Sequence, residues 1–139
     1  MLDKVVELLS REYEVVGAVR DGQTLLEAAA VTNPDVIVSD VSMPILNGIK
    51  ASQQLRKLGS KAKIIFLSVH EDPDYVSASL EAGAIGYVIK PRVTSDLCLA
   101  IRRAMKGRRF VSPAGRLEKV KQVKLAARKR KQKGKILET

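Results

Sequence analysis

Asp35-Val36-Ile37-Val38-Ser39-Asp40 is a short apolar, β-branched run that stops on a carboxylate. Two later runs have the same form: Ile64-Ile65-Phe66-Leu67 stops at Ser68, and Tyr87-Val88-Ile89 stops at Lys90. Each is followed by residues at helical spacing. This is the pattern of parallel strands buried on both faces, with helices crossing between them. Such sheets bind ligands at the carboxyl ends of their strands. An acid, a hydroxyl and an ammonium would therefore meet on one edge, and together they can accept, hydrogen-bond and charge-balance a phosphoryl group.

Working outward, residues 2–12 carry Leu2, Val5, Val6, Leu8 and Leu9 near helical spacing. Residues 13–19 alternate loosely and stop at the turn signal Arg20-Asp21-Gly22, so they predict a strand. Leu25 to Thr32 predicts a helix closed by Asn33-Pro34, because a residue before proline avoids the α region. Met43 to Gly48 reads as a loop, and Ile49 to Leu58 as a helix stopped by Gly59. Asp72 is the expected N-cap of the next helix, with Pro73 at its first position. Thr94 or Ser95 is the expected cap of the last helix, which runs to Met105 and ends at Gly107. One helix followed by four strand–helix units predicts an α/β, doubly wound parallel sheet.

The chain has 139 residues, 45% hydrophobic and 4% aromatic, which suits one domain with an aliphatic core. No apolar stretch approaches the ~20 residues of a membrane span, and there is no signal-peptide pattern at the front. The single Cys98 sits in an apolar helical segment and reads as a small buried hydrophobe, so a reducing, cytoplasmic setting is expected. His70 reads as a solvated loop residue. Charge is uneven: residues 1–115 carry a net +2 and residues 116–139 a net +8. The division expected is a domain over 1–112 and a basic C-terminal tail over 113–139. The tail reads as a solvated extension, with nucleic-acid binding through residues 116–139 as the alternative.

The motifs Asp40-Val41-Ser42-Met43-Pro44 with Gly48, Leu67-Ser68, Glu81-Ala82-Gly83-Ala84 and Gly86-Tyr87-Val88-Ile89-Lys90-Pro91 occur in order. Asp40 and Ser68 are 28 residues apart, and Ser68 and Lys90 are 22 apart. On these marks residues 1–112 resemble the receiver domain of bacterial two-component response regulators, of the NarL/FixJ-like subgroup. The resemblance implies a flavodoxin-like fold, no enzyme activity of its own, and phosphorelay signalling with a histidine kinase as partner. It implies that Asp40 is the phosphoacceptor, with Ser68 as hydroxyl donor, Lys90 as fixed cation and Tyr87 as switch aromatic. It further implies an output face over residues 72–105, Mg2+ held by Asp40 and the backbone carbonyl of Ser42, and a cis Lys90-Pro91 bond. Val69 stands where many members have Ala, and would narrow access to the phosphoryl group.

The departure is at the front. The family opens with a strand ending in two acidic residues that hold the metal. This chain begins inside the following helix, so the fold is expected with its first strand missing and the acidic pair absent. Mg2+ binding should then be weak or lost. In the family's strand order, 2-1-3-4-5, the loss opens a gap between residues 13–19 and 35–40. A truncated start is the expected cause. The gap predicts poor monomer stability and association, including homodimerisation. The alternative is a degenerate receiver working as a phosphorylation-independent interaction module.

Overall fold

The computed structural model describes residues 2–19, 21–41, 48–113 and 135–138. In chain order the elements are α1 (Leu2–Ser10), β1 (Glu14–Ala18), α2 (Gly22–Thr32), β2 (Val36–Asp40) and α3 (Gly48–Lys57). They continue with β3 (Lys63–Ser68), α4 (Pro73–Glu81), β4 (Gly86–Ile89), a 3₁₀ turn (Lys90–Arg92), α5 (Val93–Met105), β5 (Phe110–Val111) and β6 (Lys135–Glu138). The sheet order is β1-β6-β2-β3-β4-β5, and every neighbouring pair is parallel. The α/β doubly wound reading therefore holds.

Alternation along the strands divides the core. Val36, Val38, Ile65, Leu67 and Val88 face α1 and α5, where Val5, Leu9, Leu97 and Ile101 pack on them. Ile37, Ile64, Phe66 and Tyr87 face the other layer, with Leu25 and Ala29 of α2 and Ala51 and Leu55 of α3. Both faces are covered, which is why these strands lack polar alternation.

The interior position expected to be vacant is filled by β6. Its Ile136 pairs with Val15 and Val36, and its Leu137 with Gly17 and Ile37. The pairing with β1 slips between Val15 and Gly17, so Val16 bulges. Ile136 and Leu137 are fully buried, one in each half of the core. Burial of an aliphatic side chain contributes about 1.5–3 kcal/mol, and β6 also pairs the facing edges of β1 and β2. The expected gap is overturned for this chain, and with it the ground for expecting instability. Residues 135–138, expected within a basic tail, form a core strand.

Local signals mostly hold. Asp72 caps α4 by accepting from the Asp74 amide at 2.9 Å, and Pro73 follows it. Gly107 ends α5 in the left-handed region, at φ 74°. Two expectations fail. Asp21 is an N-cap, accepting from the Thr24 amide at 2.8 Å, so α2 starts three residues early. The cap of α5 is Arg92, not Thr94 or Ser95, because the 3₁₀ turn runs directly into the helix. No helix among the described residues is long and apolar enough to cross a membrane. Cys98 is a free thiol packed against the core, its pKa raised by burial and, to a lesser extent, by Glu12.

Candidate functional site

Parallel pairing aligns Asp40 with Leu67 and Ser68 with Ile89, so Asp40, Ser68 and Lys90 all lie at the carboxyl edge of β2, β3 and β4. The Lys90 ammonium stands 3.2 Å from Oδ1 of Asp40. Both side chains remain about one-quarter to one-third exposed, at 26% and 31%, so the carboxylate is reachable from solvent. The Lys90-Pro91 bond is trans, which corrects the expected cis geometry. The 3₁₀ turn already aims Lys90 at Asp40 without it.

Gly48 sets the backbone behind Asp40. Its amide donates to the Val41 carbonyl at 2.8 Å, tying the start of α3 to the end of β2. A Cβ on Gly48 would lie 2.4 Å from the Asp40 carbonyl oxygen and 3.0 Å from Phe66. Only glycine fits there.

Ser68 is buried, and its hydroxyl oxygen accepts from the His70 amide at 3.0 Å. Tyr87 points inward with 0% exposure, and its hydroxyl donates to the His70 carbonyl at 2.8 Å. Burial raises the Tyr87 pKa, while a hydrogen bond with Ser68 works against that rise. Ser68, His70 and Tyr87 therefore form one small network above the ends of β3 and β4. The His70 ring is exposed, as expected, but it stacks on Tyr75 of α4 with centroids 4.2 Å apart and planes 9° apart. Val69 is 64% exposed beside this network.

The sequence reading missed a second polar cluster next to Lys90. Asp96 is fully buried, and its carboxylate meets Arg92, Ser95 and Ser112. Nothing in the sequence around Asp96 marks it as buried, and its partner Ser112 lies sixteen residues away.

The proposed metal carbonyl, Ser42, lies outside the described residues. Among the described side chains, no group of three or more His, Cys, Asp or Glu gathers. Asp40, the carboxylate expected to ligate magnesium, faces the Lys90 ammonium at 3.2 Å. Receiver domains in general bind Mg2+ at their phosphorylation site.

Residues 1–102 match the family described as the response regulator receiver domain. The chain belongs to that family. The uncharacterized transcriptional regulatory protein YvfU of Bacillus subtilis is 35% identical over 105 residues, covering 76% of this chain and 52% of that one. The signal receiver domain of the NarL response regulator from Mycobacterium tuberculosis is 30% identical, with a TM-score of 0.73 over 76% of this chain and 87% of that domain. The isolated receiver domain of RcsB from Salmonella enterica, solved with the phosphomimetic BeF3−, is 26% identical, with a TM-score of 0.72 over 80% and 84%. The chain spans about half the length of the curated relatives it matches. The chain is thus a two-component receiver domain, and the flavodoxin-like resemblance is borne out.

Proposed function

We propose that Asp40 accepts a phosphoryl group from a histidine kinase, and that its arrival rearranges Ser68, Tyr87 and the start of α4. The observation that supports this reading is the Lys90 ammonium 3.2 Å from a solvent-reachable Asp40 carboxylate at the carboxyl edge of the sheet. An Asp40 oxygen attacks phosphorus of the kinase's phosphohistidine. The new O–P bond forms as the P–N bond breaks, and the departing imidazole nitrogen keeps the electron pair and takes a proton from solvent. Lys90 then offsets the charge that the phosphoryl group brings. The Ser68 hydroxyl exchanges Tyr87 for a phosphoryl oxygen. Tyr87 and the His70–Tyr75 stack carry that change to α4, within an output face over residues 72–105. No step is assigned to a metal; with Asp40 as the one side-chain ligand expected, Mg2+ affinity is low.

The test is incubation of the full chain with acetyl phosphate, read by intact mass. One added phosphoryl group that is absent in Asp40→Asn supports the reading. Labelling that persists in Asp40→Asn, or no labelling of the wild type, overturns it. A second reading, nucleic-acid binding through residues 116–139, is favoured by their net +8 charge. It requires DNA affinity that falls steeply with salt and vanishes in Lys/Arg→Gln variants of residues 128–131.

A further inference from the structure

Asp96 is the one carboxylate among the described residues with no exposed surface that is also bound by a guanidinium, and that guanidinium, Arg92, ends the turn that Lys90 begins. Arg92 Nε donates to Oδ2 at 2.8 Å, and its Nη2 lies 3.3 Å from Oδ1. The Ser112 hydroxyl donates to Oδ2 at 2.7 Å, and Ser95 Oγ lies 3.1 Å from Oδ1. Ser112 then turns to the end of β4. Its Oγ accepts from the Ile89 amide at 3.2 Å, and its own amide donates to the Tyr87 carbonyl at 2.9 Å. The edge strand β5 is only two residues long, so the hydroxyl of Ser112 continues the ladder where backbone pairing stops.

We propose that Asp96 and Ser112 are positioning residues for Lys90. Lys90 lies between the two points that this cluster fixes. On one side, the Ile89 amide is tied to Ser112; on the other, the Arg92 guanidinium is tied to Asp96. Ser112 and Asp96 are joined by the shortest bond of the set. The turn carrying Lys90 is therefore clamped at both ends to the first turn of α5, which holds the backbone from which Lys90 reaches Asp40. A carboxylate is costly to bury unless paired, so Asp96 is badly suited to merely filling space. Nor does it serve as the cap of α5, since Arg92 holds that position without a side-chain bond. Its partners lie on the Lys90 turn, the first turn of α5 and the segment after β5. Asp96 and Ser112 act on the site through where they hold Lys90.

The inference deepens the phosphoryl-acceptor reading, but its geometry is measured without phosphoryl transfer. A water-soluble carbodiimide joins an ammonium to a carboxylate in contact with it, so Lys90 and Asp40 of the full chain yield a zero-length crosslink measurable by peptide mass spectrometry. Ser112→Ala and Asp96→Asn are expected to lower its yield about tenfold or more, the scale of losing one charge-assisted hydrogen bond. Circular dichroism should stay at the wild-type level, and Ser112→Thr, which keeps the hydroxyl, should restore the crosslink. Acetyl phosphate labelling of Asp40 should fall in parallel. Unchanged crosslinking in both variants overturns the proposal, as does a loss that only tracks the unfolded fraction. If the wild type takes no label while the crosslink still depends on Ser112, the phosphoryl reading fails and the positioning role stands.

Discussion

The hydroxyl of Tyr87 donates to the carbonyl of His70 at 2.8 Å, fastening a fully buried ring of β4 to the loop that enters α4. Tyr87→Phe keeps the ring and removes this bond together with the one to Ser68. The expected loss is about 0.5–1.5 kcal/mol in urea unfolding, with faster amide exchange at the start of α4. An unshifted unfolding midpoint would mean that the bond has no net worth.

Lys90→Met separates chemistry from stability. Partly exposed ion pairs contribute about 0–1 kcal/mol, so the unfolding midpoint should move little. Acetyl phosphate labelling should fall by about a hundredfold, the scale of removing one preorganised donor from a developing charge. A variant that labels at the wild-type rate would contradict the role given to Lys90.

Gly48→Ala forces a methyl group against the Asp40 carbonyl oxygen and the Phe66 ring. Relief requires a backbone shift at the end of β2, at a cost of about 1–3 kcal/mol. Asp40 should move with it, so a fall in labelling is expected beyond the fall in stability. Equal stability of the two proteins by thermal unfolding would show that the end of β2 has room.

Tyr13 links stability to alkaline pH. Its pKa is raised from 10.0 to about 12, first by burial, then by Cys98 and Glu12, with Arg102 opposing. Between these values the unfolded phenol releases its proton while the folded one retains it. The contribution is complete below pH 10 and is lost as pH rises toward 12. Tyr13→Phe should flatten the stability profile in that window; an identical slope in both proteins would exclude Tyr13 as its source.

Ile136→Asp and Leu137→Asp place a charge in each half of the core. Either change should abolish a single cooperative transition and produce concentration-dependent association, as the edges of β1 and β2 lose their partner. Sedimentation read beside urea unfolding decides it. Monomers with steep unfolding would show that β6 is dispensable.

The parts of the fold legible in sequence were those with strong local signals. β3 falls on residues 63–68 as expected, because four apolar residues between polar ends leave little choice. Asp40, Ser68 and Lys90 share an edge because each terminates such a run. β6 was not legible: Ile136 and Leu137 are two apolar residues behind a basic segment, too few to set a period, and only the long-range slot between β1 and β2 makes them a strand. Asp96 and Ser112 were missed for a related reason. Their bond spans sixteen residues, and each alone reads as an ordinary helix or loop polar residue.

The placement of β6 imposes an order in time. Of the six strands it is the last to leave the ribosome, yet it belongs between the first and the second. At synthesis rates of about 5–20 residues per second, β1 to β5 wait for seconds with an unfilled channel through the middle of the sheet. Folding of the sheet cannot proceed strand by strand in chain order; the sheet stays open until β6 arrives and locks what came before.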